Sequence, residues 1–397
     1  MLWCYGMENG NLGRARVLPR PVTIGLAGPF TRPARTLVTL AAILFGAAAV
    51  TFGTGLGSSL NRVATDTSPP GEQVQIGLPG QPGPGGAPPG VPSSVAAQEA
   101  AVAAAIRAQP GTLHYVTESD DQLAVTGMAG TASVTAFGGD ASWIGWVLIA
   151  GRWSGAGGAA VNTAFLNATG TQVGNTFTFT GDGRSVTLTI TGEVFDPGSA
   201  EVFTNLSSVA ALDPSGLSPQ QYDVSLRAGM NAQGYVNAVF TKLGPGYSRQ
   251  RTGDNPLLNP LSVLIAFLTL LLAAVAGLGV LNTVVLMTRE RVHDLGVFKA
   301  VGMTPRQTIA MVVTTVAATG LIAGLIAVPA GIALHHAILP IMGNAAQTAV
   351  PAAIYNVYNP AEVVLLALAG VVIAVAGASA PASLAARTRT ALALRAE

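Results

Sequence analysis

Polar and apolar positions divide this chain into stretches of two kinds. Four runs, residues 36–61, 261–287, 308–339 and 363–386, contain no Asp, Glu, Lys or Arg, and each exceeds the roughly 20 residues that a bilayer-spanning helix needs. Between the first and second runs the apolar residues alternate instead. Residues 113–116, 123–125, 133–136, 144–149 and 222–226 read as strands. Residues 176–180 and 186–191 form a hairpin through Gly181, Asp182, Gly183 and Arg184, with Phe177 and Phe179 facing Val186, Leu188 and Ile190. The Ala-rich segment 94–108 and residues 231–243 read as helices. The fold expected is a membrane protein: four transmembrane α-helices with an α+β domain inserted between the first and second. About 190 residues suffice for such a domain to bury a core of its own.

Composition agrees with lipid as the solvent. Half of the residues are hydrophobic and 10% are charged, against about 25% charged in soluble domains. A net charge of +1 argues against nucleic acid as a partner. The basic residues set an orientation. Arg14, Arg16, Arg20, Arg32 and Arg35 precede the first run, Arg289, Arg291, Lys299 and Arg306 separate the second from the third, and Arg387, Arg389 and Arg395 follow the fourth. Residues 62–256 carry 14 acidic and 8 basic side chains, and loop 341–360 carries no charge at all. Both termini are therefore expected in the cytoplasm, and the inserted domain outside.

Domain limits follow. Residues 1–35 form a cytoplasmic lead-in without the short apolar core of a cleaved signal; Val22, Ile24, Leu26 and Phe30 make either an elbow helix at the inner interface or an unstructured approach. Span 1 occupies 36–61 and the extracytoplasmic domain 62–256. Within it, 67–93 holds 8 Pro and 7 Gly and reads as a linker. Residues 257–397 hold the remaining spans and the segment 289–303.

Candidate chemistry is sparse. Cys4 is the sole cysteine, so the domain must hold together without disulfides. No GxxxxGK[ST] run is present, and no nucleotide is expected to bind this chain. His335 and His336 lack a ligand partner at metal spacing, and Asp120, Asp121 and Asp182 are expected in turns. Glu362 and Arg387 flank the fourth run. Neither catalytic residues nor a metal or cofactor site are expected. Gly320 and Gly324 would let two helices approach closely, and Asn282, costly in hydrocarbon alone, is expected to hydrogen-bond to a neighbouring helix.

The polar segment after span 2 carries the strongest signal. Val292, Leu295 and Phe298 recur at i, i+3 and i+6, opposite Arg289, Glu290, His293 and Asp294, with Arg291 and Lys299 interrupting the apolar side. Asn282, Arg289-Glu290-Arg291, Asp294-Leu295-Gly296 and the run Lys299, Ala300, Val301, Gly302, Met303 through Gln307 together resemble the signature of the FtsX/MacB-like permeases of ABC transporters. Asp294 replaces the usual Glu, and Met303 a frequent Ala. A second resemblance is to the periplasmic core domain of MacB-like permeases. It rests on 149–153, 160–165, 173–175 and 190–194, with Ala159 or Ala160 where an acidic residue is usual.

The resemblance implies a permease subunit in the cell membrane, working with a cytoplasmic ABC ATPase dimer that consumes the ATP, and with a second permease protomer, identical or different. The coupling helix would present Arg289, Glu290, Arg291, Asp294, Leu295, Gly296, Phe298, Lys299, Ala300, Gly302 and Met303 to the ATPase. The work expected is mechanical: relay of ATP-driven motion to the outer domain, for export or extraction of lipid, lipoprotein or peptide. The alternative is an FtsX-like regulator that activates a cell-wall hydrolase or a signalling partner; a membrane enzyme lacks a catalytic constellation. Residues 18–60 also resemble the joint before the second half of duplicated family members, so a half-size permease and the carboxy-terminal half of a longer one both remain open.

Overall fold

The computed structural model describes residues 33–79, 92, 94–181, 183–212, 217–244, 246–251, 258–290 and 304–387. In chain order the elements are α1 (Pro33–Asp66), β1 (Val74–Gly77), α2 (Val95–Arg107), β2 (Thr112–Val125), β3 (Thr131–Gly138), β4 (Leu148–Gly151), β5 (Gly158–Asn162), α3 (Thr163–Thr169), β6 (Thr176–Gly181) and β7 (Arg184–Val194). They continue with β8 (Glu201–Asn205), α4 (Leu206–Val209), β9 (Gln221–Leu226), α5 (Ala232–Leu243), β10 (Ser248–Arg251), α6 (Leu258–Glu290), α7 (Pro305–Ala345), α8 (Ala352–Tyr355) and α9 (Pro360–Arg387). Two compact units result. One comprises Met1–Ser58, Ser262–His336 and Val357–Glu397, the other Ser59–Leu261 and Ala337–Asn356.

The first unit is built from α1, α6, α7 and α9, and each helix contains one of the four uncharged runs. All four are long and apolar enough to cross a membrane. Ile43, Val280, Val284, Val316, Ala323 and Ala374 form the core they share. Backbone bonds are satisfied within each helix, as hydrocarbon demands.

The second unit is a ten-stranded mixed sheet in the order β10-β1-β9-β2-β3-β8-β5-β7-β4, with β6 pairing both β7 and β2. Pairing therefore closes a ring: β2, β3, β8, β5, β7, β6 and back to β2. The β3–β8 and β5–β7 pairs are parallel. Phe165, Phe177, Phe179, Leu188, Ile190 and Val202 are buried in one core cluster of this ring. The hairpin has the expected register, with Phe177 opposite Leu188 and Phe179 opposite Val186, and Phe165, Phe177 and Phe179 meet edge to face.

A lobe of β10, β1 and β9 extends the sheet past β2. Helices α2 and α5 cover it and bury Val102, Ile106, Val236 and Val239 against Val74 and Val224. Local sequence sets their starts: Ser94 caps α2 by accepting from the Ala97 amide, and Asn231 caps α5 by accepting from Gln233 and Gly234.

Three expectations change. The segment 67–93 is not linker throughout, because Val74 and Ile76, buried in a brief alternation, make β1 a strand between β9 and β10. Asp120 and Asp121 lie inside β2 rather than in a turn. One continuous strand joins the two apolar pieces, since its polar middle pairs with β3. Residues 144–149 do not form one strand: Ser142–Ile144 make a 3-10 turn, Gly145 adopts φ 81°, and β4 begins at Leu148.

Candidate functional site

Helix α6 ends at Glu290 and α7 begins at Pro305. Arg289 and Glu290 belong to the last turn of α6. Arg291, Asp294, Leu295, Gly296, Phe298, Lys299, Ala300, Gly302 and Met303 lie outside the described residues. The segment's far end is visible. The Thr304 amide donates to Gln307 Oε1 at 2.9 Å and the Gln307 amide to Thr304 Oγ1 at 3.4 Å. This reciprocal capping box, with Pro305 at the first helical position, fixes where α7 starts. Gln307, quoted above within the signature, thus has a local structural task.

Small residues stand where the membrane helices meet. A Cβ on Gly320 would come within 2.8 Å of the Gly370 carbonyl, and one on Gly324 would overlap the Ala367 carbonyl, so both residues bring α7 against α9. Gly331 faces Ala48 and Thr51 of α1, Gly46 faces Ala276 of α6, and Gly377 of α9 faces Gly277 and Val280. Such contacts let backbones close to dispersion range where lipid supplies no hydrophobic drive. His335 is buried, with its ring edge-on to Tyr358 at 5.4 Å between centroids, and the Tyr358 hydroxyl donates to the Thr51 carbonyl at 3.1 Å.

Asn282, expected to hydrogen-bond to a neighbouring helix, is exposed on α6. The helix bearing it is the least covered: 11% of its most apolar window is buried, against 33%, 33% and 28% for the other three. Val263, Leu264, Phe267, Leu268 and Leu271 are exposed along it.

In the sheet unit, Asn162 is a buried tie. Its Oδ1 accepts from the Phe165 and Glu201 amides, each at 3.0 Å, and its Nδ2 donates to the Ser199 carbonyl at 2.6 Å. It caps α3 and closes the loop before β8 at once. Gly151, at φ 74°, and Gly192 lie where a Cβ would overlap the facing backbone of β7 and of Arg152 respectively.

Carboxyl groups crowd one face of the same sheet. Asp223 is fully buried, and its carboxyl is pushed up by desolvation and by Glu118, with Glu72 beyond. Glu118 is pushed up as well, mainly by burial. Glu201 rises to about 7 through burial and the charge of Asp196. The Thr135 hydroxyl lies 2.9 Å from Asp120 Oδ1 and 3.0 Å from Glu201 Oε1. One hydroxyl proton serves only one of these contacts, so the other requires a protonated carboxyl. Among the described residues no group of three His, Cys, Asp or Glu is arranged to hold a metal. A cleft of about 240 Å³ is lined by Phe137, Asp140, Trp153 and Asn205. Two of its polar side chains are bonded internally: Asp140 accepts from the Ser142 amide and Asn205 donates to the Gly139 carbonyl.

Residues 264–390, covering most of α6 together with α7 and α9, match the family model described as FtsX-like permease C-terminal. This segment is similar to an FtsX-like permease domain. With its four helices long and apolar enough to cross a bilayer, the chain is a membrane protein, and the family it resembles is that of the FtsX-like permeases of ABC-type transporters. The structure is also similar to the periplasmic region of MacB from Actinobacillus actinomycetemcomitans, at 13% identity and TM-score 0.34, covering 49% of this chain and 92% of that one. It is similar, too, to the extracellular domain of the noncanonic ABC-type transporter YknZ from Gram-positive bacteria, at 10% identity and TM-score 0.33, covering 45% and 99%. No curated protein matches the chain.

Proposed function

We propose that this FtsX-like permease is the membrane subunit of a complex in which a separate ATPase docks on residues 289–303 and drives motion of the sheet unit on the far side of the membrane. The carrying observation is the family match across α6, α7 and α9, which brackets that segment. The absence of a phosphate-binding GxxxxGK[ST] run in the sequence supports assigning ATP hydrolysis to the partner. The chain itself then needs no catalytic residue or cofactor. The open apolar face of α6, with Asn282 on it, supports contact with a second permease protomer, since a carboxamide in hydrocarbon gains from a hydrogen-bonding partner. Transport or extraction of a lipid, lipoprotein or peptide is the favoured work.

Docking is tested by co-purification with the ATPase. Leu295→Asp/Phe298→Asp and Gly296→Trp are expected to abolish binding, with His293→Ala as a control on the opposite arc. Each large apolar side chain buried is worth about 1.5–3 kcal/mol. Retained binding and stimulated hydrolysis in the double variant would reduce the segment to a positive-inside signal. Orientation is tested by an impermeant thiol reagent on intact cells, with Cys4 replaced: cysteines at Ser94 and Gln347 should label, and one at Thr304 should not.

A further inference from the structure

The sheet unit contains more than the domain inserted between α1 and α6. It also takes in Ser59 to Asp66 at the end of α1, the last turns of α7 and the loop up to Asn356. From sequence, residues 341–360 are simply an uncharged loop. In the fold they are anchored.

Three observations place the anchor. Phe195, just past β7, is 1% exposed and packs in one cluster with Leu339 of α7 and Ile354 of α8, with Val63 of α1 against them. The Ser59 hydroxyl of α1 donates to the Ile354 carbonyl at 2.7 Å, in a buried position. The Ala349 amide donates to Thr163 Oγ1 at 3.0 Å, while the same hydroxyl donates to Glu193 Oε1 of β7 at 2.6 Å. Thr163 therefore uses its hydroxyl in both senses, between the loop and the sheet.

The entry to the loop is itself built. Helix α7 ends with the Thr348 amide donating five residues back to the Gly343 carbonyl at 2.9 Å, the closing bond of a Schellman motif. Gln347, at φ 54°, is the one non-glycine residue with positive φ among those described. That turn delivers Ala349 to Thr163.

We infer that segment 337–356 is a clasp, pinned at Thr163 and seated on Phe195, which makes the sheet-side ends of α1 and α7 one mechanical piece with β4 and β7. Displacement of either helix end then passes into the sheet through the clasp. Its use as a force path rests on the relay proposed above; the energetic coupling does not. The physical requirement is that loosening one part loosens the others.

The test uses the full chain with Cys4→Ser in lipid nanodiscs. Hydrogen exchange is followed after Ile354→Ala and, as a milder change, Thr163→Val. The clasp predicts at least tenfold faster exchange both at 59–66 and at the end of β7, with α5 amides unchanged as a control for folding. Acceleration confined to 349–356 in Thr163→Val would overturn it. In a separate arm, Thr163→Cys/Ala349→Cys should form a disulfide on oxidation and slow exchange at 59–66. Two thiols that react with maleimide but do not join would also count against the clasp. Coupled exchange in a chain that binds no ATPase would support the clasp and sink the relay, and ATPase binding without coupled exchange would do the reverse.

Discussion

At Asn162 one side chain carries two jobs that sequence spacing cannot reveal together. Its cap on α3 is local, three residues from the Phe165 amide, but its bonds to Ser199 and Glu201 span a separation of nearly forty residues. Asn162→Ala should destabilise the sheet unit by about 2–4 kcal/mol, combining a lost cap of ~1 kcal/mol with buried groups left unpaired. Denaturant unfolding followed by tryptophan fluorescence would measure it; a change below ~1 kcal/mol would mean that water replaces the carboxamide. The sequence showed Asn162 only as part of a resemblance, because the groups it ties come from a different loop. Gly320 and Gly324 were legible as small residues suited to close helix contact, but their partners Gly370 and Ala367 were not, since spacing along one helix carries no information about its neighbour. Asn282 illustrates the converse: a polar residue in a span announces a need without naming the group that meets it.

Among elements, the long helices were the most legible, because hydrocarbon leaves a spanning segment little choice but helix. Strands were legible where alternation was clean, as in the β6–β7 hairpin. β1 was hidden among prolines, and β2 was split at Asp120 and Asp121, where strand pairing overrides the turn preference of Asp. Closure of the ring through β2 and β6 rests on the pairs Ala124 with Thr180 and Val125 with Phe179, a non-local contact that no periodicity encodes. The start of α7 gives a prediction at this scale. Removing the reciprocal cap with Thr304→Ala should cost ~1 kcal/mol locally and fray the first turn of α7. Exchange at Gln307 and Thr308 should accelerate several-fold while the middle of the helix is unaffected. If the first turn keeps its protection, contacts other than the cap hold it.

On the scale of the whole molecule, the sheet unit is assembled from two separate stretches of chain, Ser59–Leu261 and Ala337–Asn356, so a fragment limited to 94–252 would lack β1 and the cover over Phe195. Its stability is best measured in the full chain, where Trp143, Trp146 and Trp153 all report on this unit once Trp3 is replaced. The crowded carboxyls then make a signed prediction. Glu201 titrates at about 7 in the fold and near 4.5 when unfolded. Between those values the folded unit keeps a proton that the unfolded chain has released, so stability that is full below about pH 4.5 is lost as pH rises through about 7. Asp223 acts in the same direction: burial beside Glu118 keeps its carboxyl neutral while an unfolded aspartate ionises from 3.8 upward. The urea midpoint should therefore be lower at pH 8 than at pH 5. Asp223→Asn combined with Glu201→Gln should flatten that slope, because neither replacement can ionise and both are close in size to the neutral acids. A midpoint that rises with pH in the unaltered chain would mean that these carboxyls are ionised and paired in the fold, and the neutral state of Glu201 and Asp223 would have to be abandoned.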